Sequence, residues 1–417
     1  MEAPIRIMRT QWLGMAPEGL LLLGSIEEKA EQLRRDYAGS FQTLYLDPPF
    51  NTGKRYEAKL SAGTDAVAKG LSNVTLEAYN DRWPSREAYL SALRDVLVLA
   101  KDLLRPDGTI FLHCDGHMNA HLRLLMDDVF GESCFLNEIV WSYQSGGRSR
   151  TTFPRKHDTI LFYSRGKKYK FDLRAVPVGT VSSRSNHMRR DVDEDGRTYR
   201  MIRSAGKEYR YYDDEPVYAD DVWNDIGHLQ QRDPERTGFE TQKPIALLRR
   251  ILACASDEGD LVGDLFSGSG TTAAAAAEMN RRVVALDRSE ISISLAEKRL
   301  LGQAGKPKSG YALEADCCMD GAADCAVYPA IMTYTVFLSD FVCPGAPEGL
   351  PGLEAADRWS AGFLRDGVFY ACAASVRTKK KPGLAPSLEM PVYGGEPCVM
   401  ITDYRGRRHF FLPARRV

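Results

Sequence analysis

The start of the chain has no apolar run that could cross a bilayer. Its longest, Leu20 to Leu23, falls far short of the roughly 20 residues required. Met1 to Leu13 also lacks the apolar centre and small-residue cleavage site of a secretory signal, so no membrane attachment is expected. Paired cysteine spacing is missing as well. The nine cysteines lie scattered at 114, 134, 254, 317, 318, 325, 343, 372 and 398. None form a CxxC pair, and no Cys and His spacing suggests zinc. The expectation is reduced thiols in a cytoplasmic protein, without a metal. An excess of one charge is absent too: 55 Lys and Arg face 56 Asp and Glu, for a net charge of -1. That excludes coating nucleic acid by bulk charge but leaves room for a local basic groove. With 44% hydrophobic and 27% charged residues, global disorder and collagen-like structure are excluded.

What is present alternates strands and helices, the α/β signature. Thr43 to Leu46 is a short strand-like run that stops at Asp47-Pro48-Pro49. Ser85 is placed to cap a helix carrying Tyr89, Leu93, Val96, Leu97, Ala100 and Leu104 on one stripe, and Arg105-Pro106-Asp107-Gly108 ends it. Strands are expected at 109–113, 139–143 and 159–163, with a helix near 117–130. From Arg165 to Tyr212 the texture changes: 13 Lys or Arg stand against 6 Asp or Glu, with five tyrosines interleaved. Regular alternation returns with helices at 244–255, 270–279 and 289–300 and strands at 261–266 and 282–286. After Gly302 the pattern weakens to short strand-like runs broken by Gly and Pro.

Two segments carry chemistry. In Asp264-Leu265-Phe266-Ser267-Gly268-Ser269-Gly270-Thr271 a strand feeds a turn with glycines two apart, and a helix begins at once. Glycines let backbone approach a ligand, and the helix start supplies free N–H groups. Asp287 ends the next strand, where a carboxylate can take both ribose hydroxyls of a nucleoside cofactor. A P-loop is disfavoured because Thr271 stands where Lys would be, and GxGxxG would need glycine at Ala273. The second segment is Asp47-Pro48-Pro49-Phe50-Asn51-Thr52-Gly53. Two prolines fix the backbone and remove two donors. A carboxylate, a free carbonyl and an aromatic face remain at the carboxyl edge of a sheet, where open α/β folds bind ligands. These groups suit a planar amine: two acceptors for its two N–H bonds and a ring to stack on.

At these residues the sequence resembles the amino-group DNA methyltransferases, which act on adenine N6 or cytosine N4. Asp47 to Phe50 precedes Asp264 to Gly270, the permuted β-type order. Thr241-Gln242-Lys243-Pro244, Leu104 to Gly108 and Lys156-His157-Asp158 also match, so the resemblance covers about 20–164 and 221–300. It implies a Rossmann-like α/β fold of seven strands, circularly permuted, with a target-recognition insert and a small C-terminal extension. The implied cofactor is S-adenosylmethionine, held by Ser25, Lys243, Asp264, Phe266, Ser267, Gly268, Ser269, Gly270, Thr271 and Asp287. Asp47, Pro48, Pro49 and Phe50 are the implied catalytic residues, and duplex DNA with a flipped-out base is the substrate. One departure is Gly24-Ser25, where relatives commonly show Gly-Asp; Ser25 or Asp316 could serve there.

The expected divisions are 1–164 as the catalytic half, 165–240 as the recognition insert, 241–310 as the cofactor half and 311–417 as an extension. In the insert, Arg184, Arg189, Arg190, Arg197, Arg200, Arg203 and Arg210 are candidates for phosphates or guanine edges. Asp at the first catalytic position favours adenine N6 by family tendency. Cytosine N4, RNA or protein glutamine are the alternatives, with a DNA-binding subunit of decayed site as the non-enzymatic one. A homodimer and a cognate restriction endonuclease are partners that the resemblance allows, in a bacterial cytoplasmic, DNA-associated setting. Pro397-Cys398 is read as unrelated to a cytosine-C5 nucleophile, His113, His117 and His121 as no metal face, and Lys379 to Lys381 as a solvated loop.

Overall fold

Where apolar runs alternate with helical stripes, strands and helices follow in turn. The computed structural model describes residues 6–61, 73–144, 149–183, 188–302, 305–318, 320–347, 350–378 and 380–416. The first part contains β1 (Arg6–Trp12), β2 (Gly19–Leu23), α1 (Ile26–Tyr37), β3 (Phe41–Leu46), the antiparallel pair β4 (Arg55–Ser61) and β5 (Asn73–Asn80), α2 (Arg86–Leu103), β6 (Leu104–Asp115), α3 (Asn119–Phe130), β7 (Phe135–Ser142) and β8 (His157–Ser164). The basic region forms β9 (Pro177–Thr180), β10 (Arg189–Val192), β11 (Thr198–Ser204), β12 (Lys207–Tyr212) and β13 (Pro216–Tyr218). Then come β14 (Val222–Trp223), α4 (Ile245–Ala255), β15 (Leu261–Asp264), α5 (Thr271–Glu278), β16 (Arg282–Asp287) and α6 (Glu290–Leu301). The last part is β17 (Tyr311–Cys318), β18 (Ala322–Pro329), β19 (Thr333–Val342), β20 (Ala356–Arg365), β21 (Val368–Val376), β22 (Ser387–Pro391), β23 (Glu396–Asp403), β24 (Arg408–Phe411) and β25 (Ala414–Arg415).

Seven consecutive strands of the main sheet run β2-β16-β15-β3-β6-β8-β7. Neighbours pair in parallel except around β8, which is antiparallel to both β6 and β7. Every residue of β3 is buried, because both faces of the sheet are covered. Tyr45 points to the side packed by Leu247, Leu248 and Ala275 of α4 and α5, whereas Leu44 and Leu46 face Leu93, Leu97 and Leu122 of α2 and α3. Ser85 caps α2 through the Ala88 N–H at 3.1 Å, as the sequence predicts. The helix stops one residue before the stripe's Leu104, which enters β6 instead. The expected turn at 105–108 becomes an irregularity between the Phe41–Leu104 and Thr43–Thr109 pairs. Gly108 is required there: a Cβ would lie 2.9 Å from the Phe41 and Arg105 carbonyl oxygens.

The region after Gly302, which reads as weakly patterned, is the most β-rich part of the molecule. β17 continues the main sheet by pairing with β2. It also starts a ring of pairings, β17-β1-β21-β20-β23-β24 and back to β17, a closed six-stranded barrel. One strand of the ring, β1, comes from the opposite end of the sequence. Cys398 and Met400 of β23 lie with Phe369 and Trp12 in the buried core; burial pushes the Cys398 thiol up to about 12, which suits packing and not nucleophilic attack. A further sheet, β22-β19-β18-β25, packs outside. Here the chain brings together groups that no spacing predicts: ligand-type atoms of Cys343, Asp403 and His409 lie within 4.8 Å of one another, all buried. Asp403 is already engaged by Arg407 at 2.8 Å and by His409 at 3.2 Å, so the cluster ties β23 to β24. No described helix is long and apolar enough to cross a membrane.

The barrel is locked onto α6 by buried charge. Glu297 of α6 is paired with Arg358 of β20 and, at 3.4 Å, with Arg408 of β24. The Tyr311 hydroxyl donates to it at 3.3 Å, and Lys298 pairs with Asp357 at 2.5 Å. Breaking such a network from one side leaves uncompensated charge in a low-dielectric interior. Glu297→Ala is therefore expected to lower the unfolding free energy by about 3–5 kcal/mol, read from the urea midpoint. Arg408→Met should cost less, because Glu297 keeps its closer partner.

Candidate active site

β3 and β15 lie side by side, with Thr43 opposite Val262 and Leu44 opposite Gly263. Their carboxyl ends therefore deliver Asp47 and Asp264 to the same edge of the sheet, beside a cavity of about 500 Å³. Both chemistry-bearing segments line it, joined by Ser25, Tyr143, Asp158, Lys243 and Asp287.

Asp47 is divided in its duties. Its Oδ2 accepts a hydrogen bond from Lys243 Nζ at 2.6 Å, while its Oδ1 is buried without a partner. Lys243 also stands 5.2 Å from the centre of the Phe50 ring, a cation–π contact. Lys243 was expected among cofactor contacts; its polar partner in the structure is Asp47. The turn after Pro49 is shaped by a residue the sequence does not single out. The fully buried Asp81 accepts from the Asn51 N–H at 3.0 Å, the Thr52 N–H at 2.8 Å, the Thr52 hydroxyl at 2.7 Å and the Trp83 indole at 3.3 Å. Asn51 there adopts a φ of 58°, which Asn tolerates better than most residues.

Behind Phe50 lies a second buried network. The Phe50 ring stacks on His113 at 5.9 Å. His113 Nδ1 is 2.9 Å from the Tyr45 hydroxyl and its Nε2 is 3.1 Å from Asp158 Oδ2. The Tyr143 hydroxyl donates to Asp158 Oδ1 at 3.0 Å. Burial alone would raise the Asp158 carboxyl, but His113, Lys243 and Tyr143 together hold it below the usual range. His113 thus props the aromatic platform. His117 and His121, four and eight residues on, have no hydrogen bond or ring contact with it among the described residues, and His121 lies beside Arg86.

On the glycine side, Asp264 is 3% exposed. It accepts from the Phe266 N–H at 3.0 Å and the Thr272 hydroxyl at 2.5 Å. Burial outweighs those bonds and pushes its carboxyl up to about 7. Asp287 holds the loop: Oδ2 accepts from the Gly268 N–H at 2.8 Å and Oδ1 from the Ser289 N–H at 2.9 Å. Ser267 Oγ is buried at the cavity wall without a partner. Ser269 sits beside Thr271, whose hydroxyl is bonded to the Lys243 carbonyl at 3.2 Å. Ser25 caps α1 in a capping box with Glu28 and lines the cavity, whereas Asp316 lines a neighbouring groove. An aromatic wall not anticipated from sequence closes one side, where Tyr56 stacks on Tyr79 and Tyr79 on Phe239. These residues are far apart in the chain and no local spacing marks them.

The insert's arginines sit on the three-stranded sheet β10-β11-β12 and beside it. Arg184 lies outside the described residues. Arg190 is paired with Asp213, Arg197 with Asp214 at 2.8 Å, and Arg203 and Arg210 with Glu208 at 3.5 and 2.9 Å. Arg200 is 7% exposed and bonded to Asp213, so it props the sheet instead of facing solvent. Arg189 is exposed, with no ion pair among the described residues. After β13 the chain rejoins the main sheet, β14 pairing in parallel with β7, and residues 239–243 already line the cavity.

The family model described as "DNA methylase" (N6_N4_Mtase) matches residues 41–298. Similar proteins include the type II methyltransferase M.EcaI of Enterobacter cloacae, 26% identical over 61% of this chain and 64% of that protein. The StyLTI Mod subunit of a type III restriction-modification enzyme from Salmonella typhimurium is 24% identical over 63% and 50%. M.HpaI of Haemophilus parainfluenzae is 27% identical over 63% and 68%. The chain thus spans half to about two thirds of the length of these relatives. Among solved structures, the PvuII cytosine-N4-specific DNA methyltransferase superposes with a TM-score of 0.45 at 14% identity, covering 69% of this chain and 90% of that one. A Thermus thermophilus protein, TTHA0409, described as a putative DNA modification methylase, does so at 0.40 and 19%, over 71% and 97%.

The two loop glycines have different reasons to be glycine. Both have positive φ, 49° at Gly268 and 75° at Gly270. A Cβ on Gly270 would meet Ala296 Cβ of α6 at 2.4 Å, whereas one on Gly268 meets the Phe239 ring at an ordinary 3.5 Å. Gly268→Ala is expected to cost about 1–2 kcal/mol from backbone strain alone. Gly270→Ala should cost about 2–5 kcal/mol, because overpacking adds to it. Urea denaturation of the two variants checks the ranking.

Proposed function

This chain belongs to the DNA methylase family, and on that premise we propose that it transfers a methyl group from S-adenosylmethionine to adenine N6 of a base flipped out of duplex DNA. The observation that carries the reading is Asp47: one oxygen fixed by Lys243, the other buried, unpartnered and at the cavity. An exocyclic amine supplies the missing donor. Its lone pair is delocalised into the base, so it is a poor nucleophile until hydrogen bonds draw it toward tetrahedral geometry. Asp47 Oδ1 accepts one amine hydrogen and the Pro48 carbonyl the other, while Phe50, backed by His113, stacks on the base. The nitrogen gains a methyl and loses one proton, which leaves along its bond to Asp47. This is positioning and charge stabilisation.

The glycine side fits the cofactor. A buried carboxylate pushed toward neutrality, as at Asp264, gains from a cationic partner such as the cofactor's ammonium group. Ser267 Oγ is a further unpartnered group at the wall. Asp287 and Ser25 are assigned to the ribose and adenine ends, with Phe266, Gly268, Ser269, Gly270 and Thr271 forming the loop. S-adenosylmethionine supplies the electrophilic methyl; the chain binds and aims it. The assigned divisions are a catalytic half to residue 164, recognition within 165–240, and a cofactor half at 241–310. Recognition falls to the β10-β12 sheet, whose paired arginines must share or exchange their carboxylates for phosphate. Relatives include Mod subunits, so a restriction endonuclease is an assigned partner. Cytosine N4 is the alternative target, and nucleoside analysis of DNA methylated with labelled cofactor separates the two; methylation of neither base overturns the reading.

The carboxylates can be tested in two ways. Asp47→Ala is expected to lower turnover by about 10²–10⁴-fold with cofactor affinity kept, because its bond to the amine strengthens in the transition state. Lys243→Met should lower kcat by about 10–100-fold through the same oxygen; a change confined to the cofactor KM would instead place Lys243 with the cofactor. The second test concerns pH. The raised Asp264 carboxyl holds its proton below about 7, and binding a cation beside it requires the proton to leave. Cofactor affinity is thus expected to fall by up to about tenfold per unit below pH 7 and to level off above it. Calorimetry of Asp264→Asn should give a flat profile.

A further inference from the structure

A target base is reached only after it leaves the stack, and filling the gap it leaves stabilises the extruded state. This inference rests on the DNA-methylation reading. Phe153 is 98% exposed, more than any other large hydrophobic side chain described. It belongs to residues 149–156, between β7 and β8 at the edge of the sheet that carries Asp47. The base of this segment is tied to the cavity wall. The Tyr143 N–H donates to the Lys156 carbonyl at 2.9 Å, and both Tyr143 and Asp158 line the cavity. Ser149 Oγ accepts from the Thr151 and Thr152 N–H groups at 3.3 and 3.1 Å, forming a turn directly before the ring. Pro154 then confines Phe153 to extended backbone. An aromatic ring is thus held outward by a local turn, without packing beneath it.

Its neighbours favour nucleic acid as the occupant. Arg150 and Arg155 stand three residues before and two after Phe153 in the chain, both exposed and without an ion pair among the described residues. By contrast, Arg190, Arg197, Arg203 and Arg210 of the insert are each matched with a carboxylate. A cation on either side of an aromatic matches phosphates on either side of a base step. The other nearly bare hydrophobic, Ile331 at 96%, lies at the β18–β19 turn, in a sheet that contributes no residue to the cavity lining.

We propose that Phe153 is the wedge that enters the duplex beside the flipped base, with Arg150 and Arg155 on the adjacent phosphates. The test uses the full chain, labelled S-adenosylmethionine and a short duplex bearing the site that the wild-type protein methylates in plasmid DNA. One form of the duplex is fully paired; in the other the target base faces an abasic site. Phe153→Ala is expected to lose about ten- to a hundredfold in kcat/KM on the paired form and less than about threefold on the unpaired one. Phe153→Trp should restore the paired activity. With 2-aminopurine as the target base, fluorescence should rise with the wild type and stay quenched with Phe153→Ala. Equal loss on both forms, or none on either, overturns the wedge, and equal loss with a change in oligomeric mass marks a protein contact instead. Cofactor binding by the wild type without methylation of either duplex overturns the underlying activity and the wedge with it.

Discussion

The hydrogen-bonded ion pair between Lys243 and Asp47 joins the two chemical halves of the chain. It forms at 2.6 Å at the edge where the adjacent, parallel β3 and β15 end, with Lys243 held beside the glycine loop by the bond from the Thr271 hydroxyl to its carbonyl. Engaging one carboxylate oxygen leaves the other as an oriented acceptor, which a lone surface Asp would lose to water. The supports are layered outward. Asp81 holds the turn after Pro49, and His113, itself bonded to Tyr45 and Asp158, backs the Phe50 ring.

The other side of the cavity depends on α6. Its first turn is capped by Ser289, whose N–H Asp287 accepts, and Asp287 in turn holds the Gly268 N–H. Ala296 of the same helix forbids a side chain at Gly270. The helix is anchored further along by Glu297, buried between Arg358 and Arg408 of the barrel. The barrel therefore packs on the same helix that packs on the loop, without contributing a residue to the cavity lining. A buried ion network is a costly joint, since removing one partner leaves the other charge buried and unpaired.

Charge is distributed in a way that the net value of -1 hides. Most insert arginines are neutralised within their own sheet, and Arg200 is buried. Arg150 and Arg155, close to Phe153 in the chain, are instead exposed without an ion pair among the described residues. Excess positive residues in a segment are thus a poor guide to exposed positive potential, because neighbouring carboxylates in space need not be neighbours in sequence.

How much could be read in advance follows the range of the forces involved. The strand before Asp47, the rigid Asp-Pro-Pro-Phe turn, the glycine loop, the Ser85 cap and the amphipathic α2 stripe are set by residues within a few positions of each other, and all were legible. The α/β class followed from the alternation of strands and helices, and the seven-stranded sheet was implied by the family resemblance those motifs carry. The barrel was not legible, since its strands are short, interrupted by Gly and Pro, and stabilised by partners from both ends of the chain. Nor was the partner of Lys243, the role of Asp81, the bracing of Phe50 by His113, or the different duties of Gly268 and Gly270. By itself the sequence determined which chemical groups exist and the local turns that carry them. Tertiary structure alone decided which oxygen of Asp47 is left open, which glycine is packed and which arginines are free, because each depends on distances between segments that only strand pairing and burial bring together.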